Sequence, residues 1–167
     1  EGNDIAMSSL LKHQARQLLV VDDEYFNFEI LKAGLASTFD LSYADSGKSC
    51  LASAIANPPD IILLDVEMPG MSGYEVCQSI KQNKATTDIP VMFLSSKVGQ
   101  AERIKGFSVG GADYILKPFN AQELMARIKI LYQYRKQCAA LQYDIAKANK
   151  TAEMAMIETG DMGRIMR

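Results

Sequence analysis

Four apolar runs in this chain end in residues suited to phosphoryl chemistry on a carboxylate. QLLVVDD ends in Asp22 and Asp23, DIILLD ends in Asp65, IPVMFLS ends in Ser95 with Ser96 behind it, and ADYIL runs into Lys117-Pro118. A buried strand end is an expensive place for an isolated charge. Asp65 follows four aliphatic residues and precedes a Met-Pro-Gly turn, so it needs a partner. Two unit charges about 4 Å apart repel by roughly 4 kcal/mol at an effective dielectric near 20. Three carboxylates in one crevice therefore demand a cation. Oxygen-only ligation suits a hard ion, and Mg²⁺ takes one or two carboxylates plus a phosphate while keeping several waters. Metal and lysine would together neutralise a transferring phosphoryl group, and the serine hydroxyl would bind another of its oxygens. Each residue alone has a plainer use: Asp23 as a helix cap, Asp65 as a turn residue ahead of Pro69 and Gly70, Lys117-Pro118 as a solvated loop. Their conjunction at four strand ends, in chain order, is what points to chemistry.

The frame that must hold these residues is a repeated β-α unit. EYFNFEILKAGLA spaces Phe28, Leu31 and Leu35 at helical intervals. DLSYA alternates as a strand, GKSCLASAIAN reads as a helix stopped by Pro58-Pro59, and GYEVCQSIKQN is helical. GQAERIKGFSVG is a short helix, and NAQELMARIKILYQYRKQ is a helix capped by Asn120. Five such alternations predict an α/β fold with a parallel sheet and helices on both faces. The other apolar runs lack period-2 alternation, as strands covered on both sides do. In such sheets ligands bind beyond the carboxyl ends of the strands, where the strand order reverses.

Composition narrows the function. Of the 167 residues, 48% are apolar and 23% charged, with a net charge of −2. That balance fits a globular domain and argues against a general nucleic-acid binder. No apolar run approaches ~18 residues, so no membrane span is expected, and the N-terminus lacks a secretory pattern. Cys50, Cys77 and Cys138 are far apart and odd in number, which suits a reducing cytoplasm better than a disulfide framework or metal site. The single histidine, His13, sits in a polar leader without a partner.

VVDDE, LLDVEMPGMSGYE, VMFLSS and YILKPF resemble the receiver domains of two-component response regulators, CheY-like in fold. The resemblance covers about residues 16 to 136. It implies a doubly wound (βα)5 flavodoxin-like sheet of order 2-1-3-4-5, with a polar leader at 1–16, a receiver domain at 17–136 and a helical extension at 137–167. By the same resemblance Asp65 is the phosphoacceptor. Asp22, Asp23, Asp65 and the backbone carbonyl of Glu67 hold Mg²⁺ or Mn²⁺, and Lys117 binds the phosphoryl group. Ser95 and Tyr114 are the switch pair, and the Lys117-Pro118 bond is cis. The donor is a sensor histidine kinase or phosphotransfer protein, the output is a shape change on the face of helix four, strand five and helix five, and the location is cytoplasmic. Ser72 replaces the family's aspartate at a turn position, where serine caps a helix nearly as well. Glu67 and Lys97 occupy the two variable positions that tune phosphoryl loss. The expected role is a phosphoacceptor, not an enzyme. A haloacid dehalogenase-type phosphatase is the enzymatic alternative, but its DxDx[TV] motif follows the first strand, whereas Asp65 follows the third and Glu67 stands where its second aspartate belongs. A receiver fold serving as an interaction scaffold without phosphorylation is the other alternative.

The C-terminal helix carries a seam of Leu131, Tyr134, Cys138, Leu141, Ile145, Ala148, Ala152 and Ala155, alternating three and four as in a coiled coil. It predicts a homodimer through 131–155 or a monomeric helical extension, leading to an output module. Residues 120–167 hold eight basic and five acidic side chains, too mild an excess to signal nucleic acid. Met154, Met156, Met162 and Met166 add apolar positions to the same helix.

Overall fold

The computed structural model describes residues 16–165, with side chains through 159; residues 1–15 of the polar leader, His13 among them, and the side chains of Met162 and Met166 lie outside the described residues. Five strands and five helices alternate among the described residues: β1 (Gln17–Val21), α1 (Tyr25–Leu35), β2 (Asp40–Ala44), α2 (Gly47–Ala56), β3 (Ile61–Asp65), α3 (Gly73–Gln82), β4 (Val91–Ser95), α4 (Gln100–Ser108), β5 (Asp113–Leu116) and α5 (Ala121–Ile165). The strands form one parallel sheet in the order β2-β1-β3-β4-β5, the order expected.

Burial follows position in the sheet. All five residues of β3 and of β4 are buried, which explains their unbroken apolar runs. β2 is an edge strand, and its Asp-Leu-Ser-Tyr-Ala alternation is what one covered face requires. The three α1 positions picked out by helical spacing, Phe28, Leu31 and Leu35, are the buried ones. Cys50 and Ala54 of α2 and Cys77 and Ile80 of α3 face the same core. All three cysteines are free.

Local chemistry sets the helix starts. Ser72 caps α3 by accepting from Glu75 N–H at 3.3 Å, and Glu75 reaches back to Ser72 N–H at 3.0 Å. This is a full capping box. Asn120 accepts from the N–H groups of Gln122 and Glu123, capping α5. Ser46 and Ser49 form a reciprocal cap on α2 that sequence reading overlooked, because serine replaces the usual Glu or Gln at the third position.

One compact unit runs to Leu131 and a second begins at Tyr132. Within the first, Leu124 and Ile128 of α5 are buried one turn apart. The second is a continuation of helix, in which Tyr134, Leu141, Ile145, Met154 and Met156 are all exposed.

Gly73 fixes how closely α3 starts against β3. A Cβ there would collide with the Asp65 carbonyl oxygen and come within 2.8 Å of Val66 Cα, both unyielding backbone. Gly73→Ala is expected to cost about 2 kcal/mol or more, read as a lower urea midpoint at unchanged slope. An unchanged midpoint would show that this approach is not tight.

Candidate functional site

Register alone brings two of the acids together. β1 and β3 are neighbours with Val21 opposite Leu64, so Asp22 and Asp65 are the next residues on adjacent strands. Parallel neighbours lie ~4.8 Å apart, and little freedom is left to separate the two carboxylates. Asp23 completes the group: oxygens of Asp22, Asp23 and Asp65 all lie within 4.8 Å of one another. Asp22 and Asp65 are buried and Asp23 is exposed.

Lys117, just past the end of β5, reaches over this group. Its Nζ is 3.3 Å from Asp22 Oδ2 and 3.7 Å from Asp65 Oδ1. The Lys117–Pro118 peptide bond is cis. Backbone pairing anchors the lysine, since Lys117 N–H donates to Ser95 O at 2.8 Å.

Asp22 is heavily restrained. Its Oδ1 accepts from Glu24 N–H at 2.9 Å, and the Asn27 amide donates to both oxygens at 3.1 and 3.0 Å. Its backbone carbonyl accepts from the Tyr43 hydroxyl at 2.7 Å. Helix α1 is thus entered through Asp22 rather than Asp23: its N-cap, Glu24, makes no side-chain cap bond. Asp65 accepts one bond from Glu67 N–H at 3.2 Å. Burial pushes its pKa up to about 6; Lys117 opposes that rise, while Asp22 and Asp23 add to it.

These residues line a crevice of about 290 Å³ formed by Asp22, Asp23, Glu24, Asn27, Asp65, Glu67, Ser96 and Lys117. Three carboxylates against one ammonium leave an excess of negative charge, and every donor is an oxygen. That donor set fits a hard divalent cation. An adjoining cavity of about 280 Å³, mostly apolar, is lined by Asp22, Asn27, Ile30, Leu31, Lys117, Pro118 and Phe119.

Ser95 does not line the crevice. It is fully buried, and its hydroxyl accepts from Lys97 N–H at 3.0 Å, while Ser96 faces the crevice instead. Tyr114 is buried, with its ring tilted against Phe93 and its hydroxyl donating to Lys97 O at 3.2 Å.

Asn27 and Tyr43 were missed in the sequence. Asn27 had a signal: an amide one helical turn after the acid pair, at a position able to reach back to it. Tyr43 had none, because its contact with Asp22 spans 21 residues between strands.

The sequence matches the family described as Response regulator receiver domain over residues 18–129. It is 40% identical to the response regulator PleD of Caulobacter vibrioides over 120 residues, covering 71% of this chain and 26% of that protein. It is 38% identical to the transcriptional regulatory protein ResD of Bacillus subtilis over 122 residues, covering 72% of this chain and 50% of that one. The chain therefore spans between a quarter and a half of these relatives. Among solved structures, a receiver domain of a Francisella response regulator superposes with a TM-score of 0.67 at 29% identity, covering 71% of this chain and 98% of that one.

The raised pKa of Asp65 gives a signed test. The folded state holds this proton more tightly than the unfolded chain, whose carboxyl titrates near 3.8. Between about pH 4 and 6 the folded state therefore binds more protons, and stability falls as pH rises. In a divalent chelator, Asp65→Asn is expected to be more stable than wild type at pH 7 by on the order of 2 kcal/mol, with the difference vanishing below about pH 4. Equal urea midpoints at pH 7 would contradict the strained carboxylate.

Proposed function

This chain belongs to the response regulator receiver domain family, and on that footing we propose that it accepts a phosphoryl group on Asp65 from a sensor histidine kinase or phosphotransfer protein, with Mg²⁺ or Mn²⁺ as cofactor. The observation that carries the proposal is the ammonium of Lys117 within 3.7 Å of Asp65 and 3.3 Å of Asp22, over three clustered carboxylates.

Asp65 is mostly ionised at neutral pH despite its raised pKa, so the nucleophile is available. Its oxygen attacks the phosphorus of a phosphohistidine, the P–N bond breaks, and the donor imidazole leaves with the bonding electrons. Lys117 pairs with the oxygens of the new acyl phosphate. Asp22, Asp23, Asp65 and the backbone carbonyl of Glu67 would hold the divalent ion, whose chemistry here is charge neutralisation on the phosphoryl oxygens. Asp22 is suited to this because Asn27, Glu24 N–H and Tyr43 fix its side chain and backbone.

The signal follows from the added charge and acceptors. Ser95 exchanges its Lys97 partner for a phosphoryl oxygen, and Tyr114 adjusts in the space left, reshaping the α4–β5–α5 face. The role is regulatory rather than catalytic turnover: the acid after Asp65 by two positions is Glu67, not the second aspartate of an aspartyl-phosphate phosphatase. The donor docks over the crevice, where Ile30 (51% exposed) lines the apolar cavity together with Pro118 and Phe119. No described helix is long and apolar enough to cross a membrane, and a cytoplasmic setting supplies both kinase and Mg²⁺. The exposed seam through 131–155 supports a homodimer that passes the signal to an output domain.

Incubation with acetyl phosphate and Mg²⁺ is expected to add one phosphoryl group, seen by intact mass. Asp65→Asn should abolish it, and Lys117→Ala should slow it by about a hundredfold. Labelling at another residue, or none, would overturn the reading. For the dimer, a short bismaleimide is expected to cross-link two chains through Cys138 on the seam, and Cys138→Ser to prevent it. A sedimentation mass of one chain, with and without beryllofluoride, would remove the dimer.

A further inference from the structure

Tyr74 is buried in the first turn of α3, and its hydroxyl meets two elements at once. It donates to Glu102 Oε2 on α4 at 2.7 Å, with the Glu102 backbone carbonyl a longer second acceptor at 3.3 Å, and lies 3.4 Å from the Tyr114 hydroxyl on β5. Tyr114 in turn donates to Lys97 O, and Lys97 N–H donates to Ser95 Oγ. A phenol has one proton to give. That of Tyr74 goes to the Glu102 carboxylate, a short charge-assisted bond. The Tyr74 oxygen is then left as an acceptor, so the single Tyr114 proton has two acceptors to choose from, Tyr74 Oη and the Lys97 carbonyl. One belongs to a core helix; the other belongs to the loop that leaves Ser95.

Helix α4 is tied to the same pair of rings by two more contacts. Lys105 Nζ sits 4.7 Å from the Tyr74 ring centroid, within cation–π range. A Cβ on Gly106 would lie 2.9 Å from a Tyr114 ring carbon, so the α4 backbone rests against that ring with no room for a methyl group. The Tyr74 ring itself packs on Phe93 at 5.3 Å. Tyr74 is therefore the end set in the core, and half-buried Glu102 is the end carried on α4.

We propose that Tyr74 is a positioning residue of the switch: its hydroxyl fastens α4 through Glu102 and offers Tyr114 an acceptor that does not depend on the Ser95 loop. When that loop shifts, Tyr114 keeps a partner inside the fold, and the distance α4 travels is set by whether the Tyr74–Glu102 bond holds. The inference rests on the phosphoacceptor reading above, and its test separates the two.

The test is hydrogen exchange of residues 100–108 in the full chain, for wild type, Tyr74→Phe, Glu102→Ala and the double variant. Glu102 is half-buried on α4, outside the apolar core, so its variant removes the carboxylate acceptor while leaving its backbone carbonyl 3.3 Å from the Tyr74 hydroxyl. Without phosphodonor, α4 is expected to exchange about tenfold faster in Tyr74→Phe and faster by a smaller factor in Glu102→Ala, with α1 and α2 unchanged. The double variant is expected to match Tyr74→Phe, because losing the hydroxyl already removes every bond it makes to Glu102, side chain and backbone alike. Phosphoryl uptake by Tyr74→Phe should stay within twofold of wild type, while the change in α4 exchange caused by beryllofluoride falls to less than half. Exchange of α4 within twofold of wild type in both single variants, or additive effects in the double, would overturn the clamp alone. A wild-type chain that takes no phosphoryl group would sink the phosphoacceptor reading and the switch role of Tyr74 with it.

Discussion

Three carboxylates converge within 4.8 Å at the rim of the sheet, and one ammonium faces two of them. Burial raises the Asp65 pKa most, Lys117 opposes it, and Asp22 and Asp23 add to the rise, with the net result that Asp65 holds its proton to about pH 6. Side chains on flexible loops would move apart under such a load. Here they cannot, because Asp22 and Asp65 are successors of paired residues on adjacent buried strands. The sheet thus supplies the constraint, and the constraint creates the affinity for positive charge. A divalent ion and a phosphoryl group brought in with it answer the same imbalance, which is why metal and phosphate chemistry belong together at this site.

The surrounding structure can be understood as support for that rim. Asn27 and Glu24 N–H hold the Asp22 carboxylate and Tyr43 its backbone carbonyl, so its orientation is set before any ligand arrives. Gly73 allows α3 to begin directly against the Asp65 carbonyl, with the Ser72–Glu75 box closing the helix end. The opposite side of β4 and β5 is held more loosely in chemical terms. Ser95, Lys97, Tyr114, Tyr74 and Glu102 are joined by hydrogen bonds in a row. A rigid acid cluster next to a chain of exchangeable bonds is an arrangement in which a charge event at one end can bias the other.

Much of this was legible in the residues. The unbroken apolar runs of β3 and β4 foretold strands covered on both faces. The helical spacing of Phe28, Leu31 and Leu35 foretold the buried face of α1. Asp22, Asp23, Asp65 and Lys117 could be singled out because strand ends in a parallel sheet share one rim. The parts that escaped depend on pairings far apart in the chain, or on side-chain direction. Tyr43 reaches Asp22 across two strands, Tyr74 reaches Glu102 across 28 residues, and it is Ser96, not Ser95, that faces the crevice. Neither periodicity nor motif specifies such contacts, since each is settled by how helices dock on the finished sheet.

The central claim is that the rim holds a carboxylate starved of positive charge. Titration of the Asp65 side-chain carboxyl carbon by NMR tests it most directly, in chelator and again with Mg²⁺. The claim requires an apparent pKa near 6 without metal and a shift well below the usual carboxylate range once Mg²⁺ is added. An ordinary carboxyl titration that Mg²⁺ leaves untouched would contradict it.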